Sequence, residues 1–270
     1  MGIFGKSSSA GDDAGEMSFF EHLDALRPRL VRSALALVLL MIVCFAAKDL
    51  LMFIIMGPES AWFPTNRLFA HLADLLSSDV LRINSRSLTL INTTMAGQFN
   101  LHLSLAFHAA LIFTIPYILW ELWGFVKPAL TERELRASRL MILWVTLCFL
   151  TGVLFGYFVL APLSVNFLSG YTVSAEIDNM IDIGSYLSLV LSLTFISGII
   201  FLLPVLTDVL ARAGLLTAAF MKRYRRHALV VLAAMSAVIT PPDAVSMILV
   251  LLPMYGLYEL SIRIAARRNP

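Results

Sequence analysis

The sequence predicts an all-α integral membrane protein with six transmembrane helices. Of its residues, 59% are hydrophobic and 14% are charged, whereas a soluble domain is usually about 25% charged. Lipid must therefore cover much of its apolar surface. Sixteen of the 20 Lys and Arg residues also lie on one side of the apolar runs. Because basic residues favour the cytoplasmic side of a membrane, we expect both termini to be cytoplasmic and the chain to lie in the cell inner membrane.

Six apolar runs account for the helix count. A spanning helix needs roughly 20 apolar residues, and most of the runs reach or approach that length. The fifth, at about 14 residues, is ambiguous on length alone and could cross only part of the bilayer. Together the runs make one membrane domain over residues 18–265, and they lie near residues 30–47, 101–120, 140–160, 183–207, 226–239 and 244–262.

The segments outside the runs have distinct compositions. Residues 1–17 are rich in Gly, Ser and Asp, which predicts a disordered cytoplasmic tail, and residues 266–270 form a second tail. Residues 48–98 make the large periplasmic loop. Within it, Leu68, Leu72 and Leu75 recur at helical spacing, which predicts an amphipathic helix on the outer surface.

Prolines predict the shape of the bundle. A proline inside a spanning helix leaves a carbonyl without its donor and kinks the axis. Pro128 is expected to end the second span, and Asp243 to cap the sixth helix after a tight turn between short helices five and six. We therefore expect a cupped bundle, its kinks and turns set by Pro116, Pro128, Pro204, Pro241, Pro242 and Pro253.

Several function classes lack support in the sequence. Cys44 and Cys148 both lie inside predicted spans, and the chain has no Cys-x-x-Cys or Cys/His cluster, so we predict no metal and no cofactor. It offers no nucleophile–base pair or phosphate-binding loop, which argues against an enzyme. The net charge of +2 suggests no nucleic-acid partner.

The cytoplasmic segment after the second run combines aromatic and acidic residues. Thr131 followed by Glu134 fits a capping box for the next helix. Alternatively, Glu134, with Glu132 and Asp24, presents carboxylates beside Phe125, and such a patch can hold a guanidinium group. The spacing leaves both readings open, and Glu134 can serve both purposes.

These residues resemble a known family. Phe125 with Pro128-Ala129-Leu130 and Glu134 is similar to the first cytoplasmic loop of TatC, the polytopic core subunit of the twin-arginine protein translocase. The segment from His22 to Leu30 resembles that family's HLxELRxRL motif. Thr240-Pro241-Pro242-Asp243 and the segment from Leu252 to Glu259 also fit the family pattern.

The resemblance implies a receptor and not an enzyme. It would bind twin-arginine signal peptides of folded cargo at the cytoplasmic face. It would then export the cargo with single-span TatA, with TatB where present, and with further TatC copies, using the proton-motive force. By this resemblance Phe125 and Glu134 contact the arginine pair, and the amino-terminal motif, with His22, Asp24 and Arg27, contributes to the same surface. On the face made positive by the basic residues, the acids Glu134, Asp24, Glu121 and Glu132 are the candidates for binding the arginine pair.

The chain departs from the family pattern at two positions. Ala25 stands where the family usually has Glu, and Asp24 is the nearest acidic residue. Leu202 stands where the family often has a polar residue that meets a single-span partner. Ser197 and Thr207 are the alternative polar residues in that helix.

A proton-coupled small-solute transporter or channel is the alternative function. Ionisable residues inside spans often mark ion or proton pathways. His108 is the deepest titratable group, and Asp208 and Asn100 accompany it. A lone histidine in a span more often bonds to a neighbouring helix, so we favour the receptor.

Overall fold

A computed structural model describes residues 19–77, 83–84, 88–126, 132–174, 179–212, 214, 216–239 and 244–268. Side chains within these ranges are described except at 19–25, 126, 132–141, 212, 239, 244–246, 249 and 268. The helices are α1 Phe19–Ala46, α2 Lys48–Ile55, α3 Pro64–Leu76, α4 Gly97–Val126, α5 Glu132–Phe155, α6 Ala161–Gly170, α7 Ile183–Ile200, α8 Leu203–Arg212, α9 Ala218–Arg223, α10 Arg225–Ile239 and α11 Ala244–Arg268. Two short strands, β1 Leu90–Ile91 and β2 Ile181–Asp182, pair in parallel with Leu90 opposite Ile181.

Four helical segments in the described part of the chain are long and apolar enough to cross a membrane. They are Leu26–Ala46, Gly97–Phe125, Ile142–Gly170 and Ile183–Ala211. They correspond to the first four predicted spans, which confirms several apolar helices. The fifth and sixth predicted runs coincide with α10 and α11.

Several helix ends differ from the predicted ones. The helix that carries the first span begins at Phe19 and continues through Pro28, well before the predicted start of that span near residue 30. The predicted tail at 266–270 is also helical as far as Arg268. Apolar runs mark where lipid covers a helix and not where its hydrogen bonds stop, which explains both differences.

Prolines act differently in the third and fourth spans. The third span is α5, a π-helical turn over Gly156–Leu160, and α6. Pro162 has no N–H to donate to the Phe158 carbonyl, which instead accepts the hydroxyl of Thr65. In the fourth span α7 passes into α8 through 201–202, just before Pro204, and the Leu202 N–H there donates to the Ile199 carbonyl three residues back instead of four.

The helix ends gather at two ends of the molecule. The helices α1 and α4 run antiparallel, because Arg29 contacts Glu121 whereas Phe45 stacks on His102 at 3.8 Å between ring centroids. The helices α5 and α7 are antiparallel as well, and Ala211, Met221 and Ile262 join α8, α9 and α11 in one apolar cluster. We call the end formed by 26–32, 120–126, 132–136, 208–212, 216–226 and 258–268 the basic end. The opposite end, formed by 46–77, 83–84, 88–97, 164–174 and 179–184, is the loop end.

Glycines bring α5 and α7 into close contact. A Cβ placed on Gly152 would lie 2.5 Å from the Ser197 carbonyl oxygen and 2.9 Å from Gly198 Cα. One placed on Gly156 would lie 2.7 Å from the Leu193 carbonyl oxygen. Small residues four apart let two membrane helices approach at backbone distance, so these glycines set the spacing of the third and fourth spans.

A buried group of asparagines ties the loop end together. Asn84, at φ 49°, donates through its amide to the carbonyls of Pro58 (3.1 Å) and Pro162 (2.9 Å). Its backbone N–H donates to Asn166 Oδ1 at 2.9 Å, and Asn66 donates to the Pro58 carbonyl at 2.9 Å. These bonds fasten the loop to the start of α6.

Two further features of the loop end stand out. The helix α3 occupies the place of the predicted amphipathic helix, and its Leu68 and Leu75 are exposed. Glu59 is half-buried, with Oε2 bonded to no group in the described part of the chain. Burial raises the pKa of the Glu59 carboxyl because water no longer solvates its charge.

Candidate functional site

Phe125 lies in the last turn of α4, at the basic end, and its ring is half-buried. Residues four apart share one face of a helix, so Tyr117, Glu121 and Phe125 form a stripe along α4. The stripe has an aromatic ring at each end and a carboxylate between them. An aromatic and acidic surface of this kind suits a guanidinium group.

The Glu121 carboxylate is the buried centre of that stripe, with the residue only 7% exposed. The Tyr117 hydroxyl donates to Oε1 at 2.8 Å. Arg32 Nη1 lies 3.8 Å from the same oxygen, and the Arg32 side chain is 64% exposed. The carboxylate is therefore fixed by a tyrosine of its own helix and neutralised by an arginine of α1.

A second arginine of α1 contacts the backbone at this point. Arg29 Nη1 donates to the Glu121 carbonyl oxygen at 3.0 Å. Gly124 makes room for it, because a Cβ at that position would lie 2.1 Å from Nη1. Arg29 thus adds a second donor to a carbonyl one turn before the end of α4 and ties α1 to α4.

The other predicted site residues lie near the same end by their backbone positions. His22 and Asp24 belong to the first turns of α1, and Glu132 and Glu134 to the first turn of α5. Their side chains lie outside the described residues. Arg27 is exposed on α1. Pro128 and the predicted turn of Pro241, Pro242 and Asp243 also lie outside the described residues.

Glu121 is one of the acids that the sequence marks as candidates on the basic face, but its partners Tyr117 and Arg32 were not predicted. The spacing of Tyr117, Glu121 and Phe125 at four-residue intervals was the available signal. The pairing with Arg32 was not readable, because 89 positions separate the two residues and only the α1–α4 register brings them together.

The three positions considered for a partner contact in helix four have different surroundings. Ser197 is 2% exposed and packs against Gly156. Thr207 is 4% exposed and donates to the Leu203 carbonyl of its own helix at 3.0 Å. Leu202, in contrast, is half-buried and lines a groove.

The groove is an apolar hollow of about 680 Å³. Six helices contribute to it, through side chains that include Leu119 of α4, Val145 of α5, Ile199 of α7, Leu206 of α8, Val231 of α10 and Tyr258 of α11. Leu202 and Trp123 pack on the same pair of buried valines, Val145 and Val205. The Trp123 indole N–H is buried there and donates to no acceptor in the described part of the chain.

His108, the main residue behind the transporter alternative, bonds within its own helix. His108 Nδ1 lies 2.8 Å from the Ser104 carbonyl oxygen of its own helix. The neighbouring ring of Phe107 meets it edge to face. These contacts bond His108 to its own helix and do not favour a proton pathway through it.

Long apolar helices and an arginine-flanked carboxylate at the basic end define a helical membrane protein with a candidate site for a cationic ligand. The family model for TatC, the Sec-independent protein translocase protein, matches residues 21–253. The chain is 36% identical over 257 residues to the Sec-independent protein translocase protein TatC of Blattabacterium sp. subsp. Periplaneta americana, covering 94% of this chain and 97% of that protein. It is 32% identical over 249 residues to the corresponding Campylobacter jejuni protein, covering 92% and 94%.

Solved structures agree with the sequence comparison. A crystal structure of the twin-arginine translocase receptor TatC in DDM superposes with a TM-score of 0.71 at 27% identity, covering 91% of this chain and 99% of that one. A second crystal structure of that receptor gives a TM-score of 0.63 at 28% identity. The chain belongs to the TatC family of Sec-independent protein translocase proteins. Its function is protein transport.

Proposed function

We propose that this chain is the receptor and core component of a twin-arginine translocase. It binds twin-arginine signal peptides of folded proteins at the basic end. With TatA-type single-span partners, with TatB where present and with further copies of itself, it exports those proteins using the proton-motive force.

The observation that supports this proposal most strongly is the placement of Phe125 and Glu134. The helix α4 ends at Val126 and α5 begins at Glu132, so five residues separate the two elements. Phe125 and the Glu134 backbone therefore lie on the same end of the bundle, close to the α1 residues of the family motif. A peptide guanidinium at this point would have an aromatic face and carboxylates within reach.

The basic end is the cytoplasmic end in this proposal, and six helices span the membrane. The charge distribution supports this orientation, since 16 of the 20 basic residues belong to segments on that side. The helix α10 has 15 residues, which at about 1.5 Å per residue is roughly 22 Å, less than the approximately 30 Å of a bilayer core. Helix five then crosses a locally thinned membrane. The prediction of a short sixth helix is wrong, because α11 has 25 residues.

The groove beside Leu202 is the proposed docking surface for a single-span partner. Its lining is apolar where many family members offer a polar residue. Helices in lipid associate through close packing and not through the hydrophobic effect. The partner helix would therefore be held here by shape, with an apolar residue opposite Leu202.

Equilibrium binding of a fluorescent signal peptide to the detergent-purified protein tests the receptor function. A twin-arginine peptide should bind more tightly than the same peptide with two lysines, because lysine cannot pair bidentately. Removing a charged hydrogen-bond partner costs about 1.5–3 kcal/mol, so Glu134→Ala should weaken binding by at least about tenfold.

Glu134→Gln separates the two roles of this residue. Glutamine can also complete a capping box, but it has no charge. If Glu134 binds arginine, both substitutions weaken binding. If Glu134 only caps α5, the glutamine variant binds like the unaltered protein. Unchanged affinity in a protein carrying both Phe125→Ala and Glu134→Ala would refute the site.

A further inference from the structure

We propose that Glu121 is a second arginine-binding carboxylate, covered in the resting protein by Arg32 of the same chain. One arginine of the signal peptide displaces Arg32 and takes its place. The inference rests on the proposed receptor function, which it deepens by stating how Glu121 is held and which side chain competes for it.

Glu121 has the properties of a prepared acceptor. Its carboxylate is buried, and the Tyr117 hydroxyl at 2.8 Å fixes its orientation. A carboxylate has about four lone-pair positions, so one tyrosine hydroxyl leaves capacity for a guanidinium. A buried carboxylate also needs a cation nearby, because its charge has lost much of its water.

Arg32 supplies that cation through a long contact. Its Nη1 lies 3.8 Å from Glu121 Oε1, which is beyond hydrogen-bond distance. Its side chain is 64% exposed. A guanidinium that docked bidentately would replace this long contact with two charged hydrogen bonds, and the local charge would not change. The displaced Arg32 can move into water without unfolding any element.

Arg29 is not exchanged in this proposal. It donates to the Glu121 carbonyl and not to its carboxylate, and it occupies the space that Gly124 leaves. It therefore holds α1 against α4 while Arg32 leaves. The two arginines have separate roles, one structural and one competitive.

The position of Glu121 suits a pair of arginines. Four helical residues rise about 6 Å, so the carboxylate lies one turn further into the molecule than Phe125. Adjacent arginines carry long side chains whose heads can diverge by that distance. One head would bind at Phe125 and Glu134, and the other would reach Glu121.

Peptide affinity in charge-neutral variants tests the exchange. Arg32→Gln removes the competing side chain. Because an exposed ion pair contributes up to about 1 kcal/mol, the affinity for the twin-arginine peptide should rise about twofold to fivefold. Glu121→Gln removes the acceptor charge and should lower affinity about tenfold. In the double variant, Arg32→Gln should give no gain. Arg223→Gln removes the same charge from an exposed position of the basic end, and we expect affinity close to that of the unaltered protein.

The outcomes separate this inference from the proposed function. If the unaltered protein does not prefer twin arginine over twin lysine, the receptor function itself fails. If it does prefer twin arginine but Arg32→Gln gives no gain, the exchange is wrong and Glu121 only joins α1 to α4. Because Arg32 is exposed, this decisive variant should fold even if Glu121→Gln does not.

Discussion

The contact between α5 and α7 gives the sharpest test of the fold. The change is Gly152→Ala, which adds one methyl group at the closest point of the two helices. That methyl would lie 2.5 Å from the Ser197 carbonyl oxygen and 2.7 Å from Phe201 Cβ. One contact is backbone and the other begins a bulky side chain, so neither can rotate away.

The free-energy cost of this substitution follows from how far the two helices must separate. Ordinary contact begins at 3.4 Å, so the helices must separate by nearly 1 Å at this point. A gap of about 0.5–1 Å forfeits a quarter to a half of the dispersion attraction of the atoms that line it. Overpacking of this kind typically costs about 1–3 kcal/mol.

The assay is thermal unfolding of the purified protein in detergent, with Gly256→Ala as the matched control. A Cβ on Gly256 meets no atom within 4 Å, so the control keeps only the gain of up to about 1 kcal/mol from helix propensity. The melting temperature of a chain of this size changes by roughly 2–4 °C per kcal/mol of stability, so the Gly152→Ala protein should melt several degrees below the control. Equal melting temperatures would refute the close packing of α5 on α7.

Three further predictions concern the two ends of the molecule. Arg225 pairs bidentately with Glu259, with Nε–Oε1 at 2.8 Å and Nη2–Oε2 at 3.0 Å. Because the pair is partly exposed, a double-mutant cycle with both residues changed to glutamine should give a coupling energy of about 0.5–1 kcal/mol. Asn84→Ala should cost about 2–4 kcal/mol by removing the buried amide that donates to the Pro58 and Pro162 carbonyls and to Asn66 Oδ1. The same change at exposed Asn92 should cost little, and thermal unfolding measures both. Because burial raises the pKa of Glu59, the native state holds that proton more tightly than the unfolded chain, so the free energy of unfolding should fall as the pH rises from 4.5 towards the raised pKa. Glu59→Gln should flatten that part of the pH profile.

Each of the three has its own contradicting result. A zero coupling would mean that Arg225 and Glu259 do not pair in detergent. An Asn84→Ala protein as stable as the Asn92→Ala protein would mean that water satisfies the carbonyls. An unchanged pH profile for Glu59→Gln would mean that the carboxyl is solvated and its pKa ordinary.

The features predicted successfully from the sequence are those that depend on short stretches of chain. Lipid requires long apolar runs, and four such runs are long apolar helices in the described residues. The helix α3 was readable because Leu68, Leu72 and Leu75 repeat at helical spacing. Membership of the TatC family was predicted from motifs in the right order and is confirmed by the comparisons.

Other features depend on residues far apart in the chain. Asn84 donates hydrogen bonds to the carbonyls of Pro58 and Pro162, and neither bond can be predicted from a local sequence pattern. Arg32 meets Glu121 only because α1 and α4 run antiparallel in one register. Gly152 and Gly156 did carry a readable signal, since small residues four apart mark close helix contacts, but the spacing does not name the partner helix.

Site-specific photocrosslinking in inverted membrane vesicles tests the central claim most directly. A photoreactive residue is placed at 125 or at 134, and a third one at 75 on exposed α3 serves as the control at the loop end. The account predicts that a twin-arginine signal peptide added outside the vesicles crosslinks at 125 and 134 but not at 75. Excess unlabelled twin-arginine peptide should abolish the crosslinks, whereas the twin-lysine peptide should not. Crosslinks at 75 alone, or equal competition by both peptides, would contradict a twin-arginine receptor site at the basic end.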